Sequence, residues 1–193
     1  MEITTDQIKQ LRDETGVSIG QCKQALTDAA GDMGKARELL REKSAASAAK
    51  KADRTLGAGA IAAYVHATGT VGAMVELRSE TDFVSKNEDF RKLAYEIAMH
   101  AAAMSPSYLS PESIPEADLA AAKAELSADL AGKPAEIAAP LLEEKLAAFY
   151  AERCLTAQPF FKNPDHTIGQ LVEQAIQKFG EKVEVSRFER LAV

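Results

Sequence analysis

The hydrophobic period of this chain changes at Gly57, and that change limits the folds open to it. Before it, apolar residues recur at helical spacing. After it, Ile61 to His66 and Val71 to Leu77 form two β-like runs separated by Ala67-Thr68-Gly69-Thr70. Two short runs joined by a Gly-containing turn read as a β-hairpin. From Glu88 to Met104 the helical period returns, with Phe90, Leu93, Ala94, Ile97, Ala98, Ala101 and Met104 on one side. Strands and helices that are segregated rather than alternating predict an α+β fold.

Residues 4–44 predict three short helices. Thr4 or Thr5 caps the first, which carries Ile8 and Leu11 and stops at Gly16. Ser18 to Gln21 is a capping-box pattern that opens the second, with Cys22, Ala25 and Leu26 on one face. Gly31-Asp32 separates it from a third carrying Ala36, Leu39 and Leu40. So short a module buries only a small core and is marginal alone. Ser44 to Arg54, rich in Ala and Lys, reads as a linker with helical tendency. It divides the chain into residues 1–54 and 55–193.

The two parts differ in charge. Residues 1–54 hold ten Lys/Arg against nine Asp/Glu, a net of +1, so the rest carries −7 of a total of −6. Much of that lies in 112–152, with nine acids and three lysines. This stretch predicts two helices broken at Gly132-Lys133-Pro134, an acidic helical hairpin with a solvated surface. Gln158-Pro159-Phe160-Phe161 reads as a loop with an apolar anchor. Thr167 to Gln170 opens a last helix that Gly180 closes. Lys182 to Phe188 alternates Val183, Val185 and Arg187 against Glu184, Ser186 and Phe188, as a final strand would. The expected inventory is three strands and about seven helices.

Several functions are disfavoured. A net charge of −6 argues against broad nucleic-acid binding, which needs a basic face. No apolar run approaches the roughly 18 residues of a membrane span. The acidic N-terminus lacks the apolar stretch of a signal peptide, and two distant cysteines fit a reducing compartment. A cytoplasmic protein is expected. Gly57-Ala58-Gly59 lacks the Gly-Lys-Ser/Thr of a phosphate loop and reads as a flexible entry into a strand. His66, His100 and His166 lack metal-ligand spacing, and His100 reads as a partly buried polar residue. Cys154 with His166 could form a nucleophile pair, yet nothing near them suggests an orienting group. Cys22 reads as a small core residue. No cofactor, metal or catalytic centre is expected.

The remaining feature is Ser79-Glu80-Thr81-Asp82-Phe83-Val84-Ser85-Lys86-Asn87. It joins a β-like run to an amphipathic helix, with Ser85 and Glu88 fitting a capping box for that helix. Such a connection, anchored at both ends, can present an acid and an aromatic side by side as a wedge. Asp82 could act electrostatically on a neighbour's metal or phosphate shell, and Phe83 could force packed side chains apart. The other reading has Asp82 start a turn and Phe83 pack in the core, as most aromatics do.

Thr81-Asp82-Phe83-Val84 followed by Asn87 resembles the signature of the elongation factor Ts family. The likeness extends along the chain. Leu11-Arg12, Thr15-Gly16-Val17 and Cys22-Lys23-Gln24-Ala25-Leu26 resemble the family's N-terminal three-helix module, itself similar to ubiquitin-associated (UBA) domains. Ala98-Met99-His100, Gln158-Pro159-Phe160 and Arg187-Phe188-Glu189 resemble its later parts. Val17, Ser18 and Ile19 depart from the small residues and Met often found there. The resemblance implies a guanine-nucleotide exchange factor for GDP-bound elongation factor Tu in translation elongation. Thr81, Asp82, Phe83 and Val84 would enter beside the nucleotide and Mg²⁺ site. Leu11, Arg12, Thr15, Gly16 and Val17 would dock on the nucleotide-binding domain. The length matches short members with one core module, for which a homodimer paired through the terminal strand's edge is consistent. The alternative is a UBA-like peptide adaptor without exchange activity.

Overall fold

Local capping signals set most helix boundaries in the computed structural model, which describes residues 3–130 and 132–193. Thr4 opens α1 (Thr5–Thr15) with a capping box to Gln7, and Gly16 closes it in the left-handed region at φ 67°. Ser18 accepts from the Gln21 amide at the start of α2 (Ile19–Asp28), and Asp32 accepts from Lys35 at the start of α3 (Met33–Lys51). Each such cap is worth about 1 kcal/mol. Leu11, Val17, Cys22, Leu26 and Leu40 pack into a small core among these three helices.

α3 runs further than the predicted third helix and absorbs most of the expected linker. Its second half packs on α8 (Ile168–Phe179), where Ser44 is hydrogen-bonded to the Gln177 side chain and Ala48 reaches the larger core. The Ala-Lys stretch is helical because Ala and Lys are strong helix formers and α8 supplies a packing partner.

That larger core lies under a three-stranded antiparallel sheet. β1 (Ala58–Val65) and β2 (Val71–Ser79) form the predicted hairpin, paired without interruption from Ala58↔Ser79 to Val65↔Gly72. β5 (Val183–Ala192) pairs with the other edge of β2, so β2 is central. α5 (Glu88–Met104) crosses the inner face of the sheet, burying Phe90, Ala94, Ile97, Ala98 and Ala101. Met104 is exposed instead of joining that face. His100 is fully buried rather than partly so.

The β5 register departs from simple alternation. Glu76 faces Arg187 while Leu77 faces Val185, so Ser186 is an extra residue. The bulge moves Arg187 outward, where its guanidinium donates to Glu76 at 2.8 Å, and turns Phe188 toward the core with Val183 and Val185.

α6 (Glu116–Ala128) and α7 (Ala135–Arg153) pack on each other, joined by a Lys145–Asp129 ion pair at 2.7 Å. A two-stranded ribbon of β3 (Pro159–Phe160) and β4 (Asn163–Thr167) replaces the expected loop. Thr167 and Gln170 form a capping box for α8, and Gly180 ends it at φ 74°. With the single turn α4 (Asp82–Ser85), the described residues hold eight α-helices.

Candidate functional site

β2 delivers the chain to a sharp corner. Ser79 is buried, and its hydroxyl donates to the Thr81 carbonyl at 3.0 Å. Thr81 is extended at φ −123°, ψ 161°, after which α4 makes one turn. Asn87, not Ser85, caps α5, accepting from the Asp89 amide at 2.9 Å. The Ser85 hydroxyl instead donates to the Asp82 carbonyl, because α4 has already begun.

On this corner, adjacent side chains diverge. Phe83 is 85% exposed, whereas Val84 is 8% exposed and joins the sheet core. Phe83 is therefore displayed, not packed. Asp82 is exposed and bonds to Lys86 at 2.6 Å. That hydrogen bond, with the attraction of the ammonium, holds its carboxyl below the usual range. Its charge is thus partly matched within the corner, and acting on another cation would require Lys86 to yield.

The corner is tied to a distant segment. Both Glu181 carboxylate oxygens bind Thr81, accepting its amide at 2.9 Å and its hydroxyl at 2.5 Å. Glu80 accepts from the Lys182 amide at 2.6 Å and from Arg54 at 3.1 Å. Glu80 is held below the usual carboxylate range chiefly by the Lys182 amide. None of the three partners Glu181, Lys182 and Arg54 carries a local sequence signal, since the pairs lie up to about a hundred residues apart.

Of the N-terminal set, Leu11 and Val17 are buried in the small core. Arg12 and Gly16 are exposed, and Thr15 is half-buried, donating to the Leu11 carbonyl at 2.6 Å. Leu11, Val17 and Val84 therefore support the surface rather than form it. A cleft of about 670 Å³ opens between this module and the β3–β4 ribbon, lined by Glu14, Arg37, Arg41, Asp165 and His166 among others. None of Thr81–Val84 lines it.

The other chemical candidates resolve into structure. His100 accepts the Phe161 amide at Nδ1 (3.3 Å) and lies 3.0 Å from Gln158 Oε1, which fixes a neutral ring with the proton on Nε2. Cys154 is fully buried, and burial pushes its thiol up to about 11, while His166 bonds with Gln174. A nucleophile needs the opposite shift. The glycines at the start of β1 serve close backbone approach: a Cβ on Gly59 would lie 2.7 Å from the Leu77 carbonyl. Among the described residues no cluster of His, Cys, Asp or Glu could hold a metal ion, and no helix is long and apolar enough to cross a membrane.

Comparison with known proteins agrees with this architecture. The family model for Elongation factor TS matches residues 5–193. An elongation factor Ts of Acetivibrio thermocellus is 45% identical over 190 residues, covering 97% of this chain and 88% of that protein. One from Herpetosiphon aurantiacus is 45% identical over 195 residues, covering 100% and 98%. One from Fervidobacterium nodosum is 43% identical over 196 residues, covering 100% and 99%. Fold and matches together define a translation elongation factor of protein biosynthesis. The chain belongs to the elongation factor Ts family.

Proposed function

We propose that this chain is a guanine-nucleotide exchange factor for elongation factor Tu, acting in the cytoplasm on the GDP complex. One observation carries the mechanism: Phe83 stands 85% exposed on a corner whose other side chains are anchored. An aromatic kept out of its own core gains its packing from a partner. Phe83 enters a pocket beside the nucleotide and shifts the elements that position Mg²⁺, and Asp82 assists by polar competition once Lys86 yields. No covalent step is needed. A factor that binds the nucleotide-poor state more tightly lowers nucleotide affinity, and linkage makes nucleotide weaken the factor's binding in return.

Residues 1–54 act as a UBA-like docking module that presents Arg12, Thr15 and Gly16 to the nucleotide-binding domain. Leu11 and Val17 hold that surface in shape. Residues 55–193 form the core domain, and the acidic pair α6–α7 contacts other partner domains or a second protomer. A homodimer is supported by the outer sheet face, where Ile61, Val65, Met74 and Leu191 are exposed together. That face is a broader surface than the terminal edge alone. A monomer in sedimentation at micromolar concentration would remove the dimer.

The test is release of fluorescent GDP from elongation factor Tu, with the native chain and with Phe83→Ala. Acceleration by the native chain, reduced about tenfold in a folded variant, supports both function and wedge. Acceleration that survives Phe83→Ala moves the mechanism to other contacts. No acceleration by the folded native chain brings forward the peptide-adaptor reading.

A further inference from the structure

The segment after α8 does more than lead into β5. Residues 80–81 and 181–182 exchange side-chain acceptors for backbone donors. Glu181 accepts the Thr81 amide and hydroxyl, and Glu80 accepts the Lys182 amide in return. The Thr81 hydroxyl therefore donates across the structure and makes no side-chain cap to α4. One turn of helix cannot hold its own direction, because nucleation is unfavourable and α4 has too few internal bonds. Its direction must come from outside.

Three further contacts brace the same point. Arg54 donates to Glu80 at 3.1 Å, and the Lys182 ammonium donates to the Ala52 carbonyl at 2.6 Å, so the end of α3 is drawn into the arrangement. Gly57 passes so close that a Cβ there would lie 2.9 Å from the Glu80 carbonyl. Gly180, left-handed at φ 74°, makes the turn that brings Glu181 back toward the corner.

We infer that Glu181 is a positioning residue for Phe83: its bidentate hold on Thr81 fixes the direction in which the wedge is presented. The inference rests on the wedge reading above. Glu181 touches neither nucleotide nor partner in this role; it acts through Thr81 and α4. Loss of the hold leaves Phe83 present but free to swing, so docking persists while each docked complex exchanges more slowly.

The experiment compares Glu181→Ala and Glu181→Gln, each in the native and the Phe83→Ala backgrounds. The readouts are fluorescent-GDP release from elongation factor Tu and amide hydrogen exchange at Thr81 to Ser85. Glu181→Ala should speed exchange of those amides and lower the saturated GDP-release rate roughly fivefold, a magnitude expected for partly exposed bonds to a carboxylate. The factor concentration giving half-maximal release should change less. Glu181→Gln, which keeps a neutral acceptor, should recover part of the rate. In the Phe83→Ala background Glu181→Ala should have no further effect on release, although thermal stability falls equally in both backgrounds.

Equal losses of release rate in both backgrounds would overturn the inference, because the clasp would then act only through general stability. Unchanged amide exchange at Thr81 to Ser85 would overturn it too, whatever the kinetics. If Phe83→Ala alone leaves release intact, the wedge reading fails. The amide data then decide separately whether Glu181 holds the corner.

Discussion

Phe83 and Val84 are neighbours in sequence and opposites in environment: the first is 85% exposed and the second 8%. One residue step along a helix turns the side-chain direction by roughly 100°, enough to send one outward and the other into the core beneath the sheet. The inward residue anchors the corner, and the outward one is left for a partner.

Replacing each should therefore have a different consequence. Phe83→Ala should slow GDP release while changing folding stability by no more than about 0.5 kcal/mol, as for an exposed position. Val84→Ala should cost about 2 kcal/mol through lost burial and a residual cavity. Urea titrations beside the exchange assay check both. A Phe83→Ala variant that unfolds early would place that ring in the core after all.

His100 predicts a pH dependence. Burial drives its pKa below the usual histidine range, and the Gln158 hydrogen bond opposes this more weakly. The unfolded chain titrates near 6.5, so below about that pH the unfolded state binds more protons than the folded one. His100's contribution is complete above about pH 6.5 and is lost as pH falls toward the depressed folded value. Glu80 and Asp89, held low by the Lys182 amide and by Lys178, act in a lower window, at about pH 4 and below. Denaturation midpoints at pH 7.5 and 5.5 should fall for the native chain and stay level for His100→Gln, itself less stable.

Two glycines should respond in opposite ways to alanine. Gly59→Ala places a Cβ 2.7 Å from the Leu77 carbonyl, a backbone atom in the middle of the sheet that cannot step aside. A loss of about 1–3 kcal/mol is expected. Gly20, in the first turn of α2, has nothing within 4 Å of its would-be Cβ. Gly20→Ala should stabilise by about 0.5 kcal/mol. Thermal scans of the two variants read both signs.

The thiols should be inert in the folded chain. Cys22 and Cys154 are both free and buried, and burial raises both pKa values, that of Cys154 to about 11. Iodoacetamide at pH 8 should leave both unmodified by intact mass over a period in which denatured protein is fully alkylated. Rapid labelling of native Cys154 would show an opening of α7's C-terminal end.

What the sequence by itself determined was everything that depends on near neighbours. Thr4, Asp32 and Thr167 cap the helices they precede, and Gly16 and Gly180 end theirs, because these bonds close within a few residues. The β1–β2 hairpin and most of the buried face of α5 were legible for the same reason, and so was the place of residues 81–84 between a strand and a helix. Only the tertiary structure decided the rest. The β3–β4 ribbon carries Pro and Asp, which oppose strand propensity, and exists through pairing. The bulge that turns Phe188 inward depends on the β2 register, and the length of α3 depends on α8. That Leu11, Val17 and Val84 are buried while Phe83 is not, and that Glu181 grips Thr81, follow from contacts between residues brought together only by the folded chain. Short-range hydrogen bonds leave a signature in adjacent letters; packing across a hundred residues leaves none.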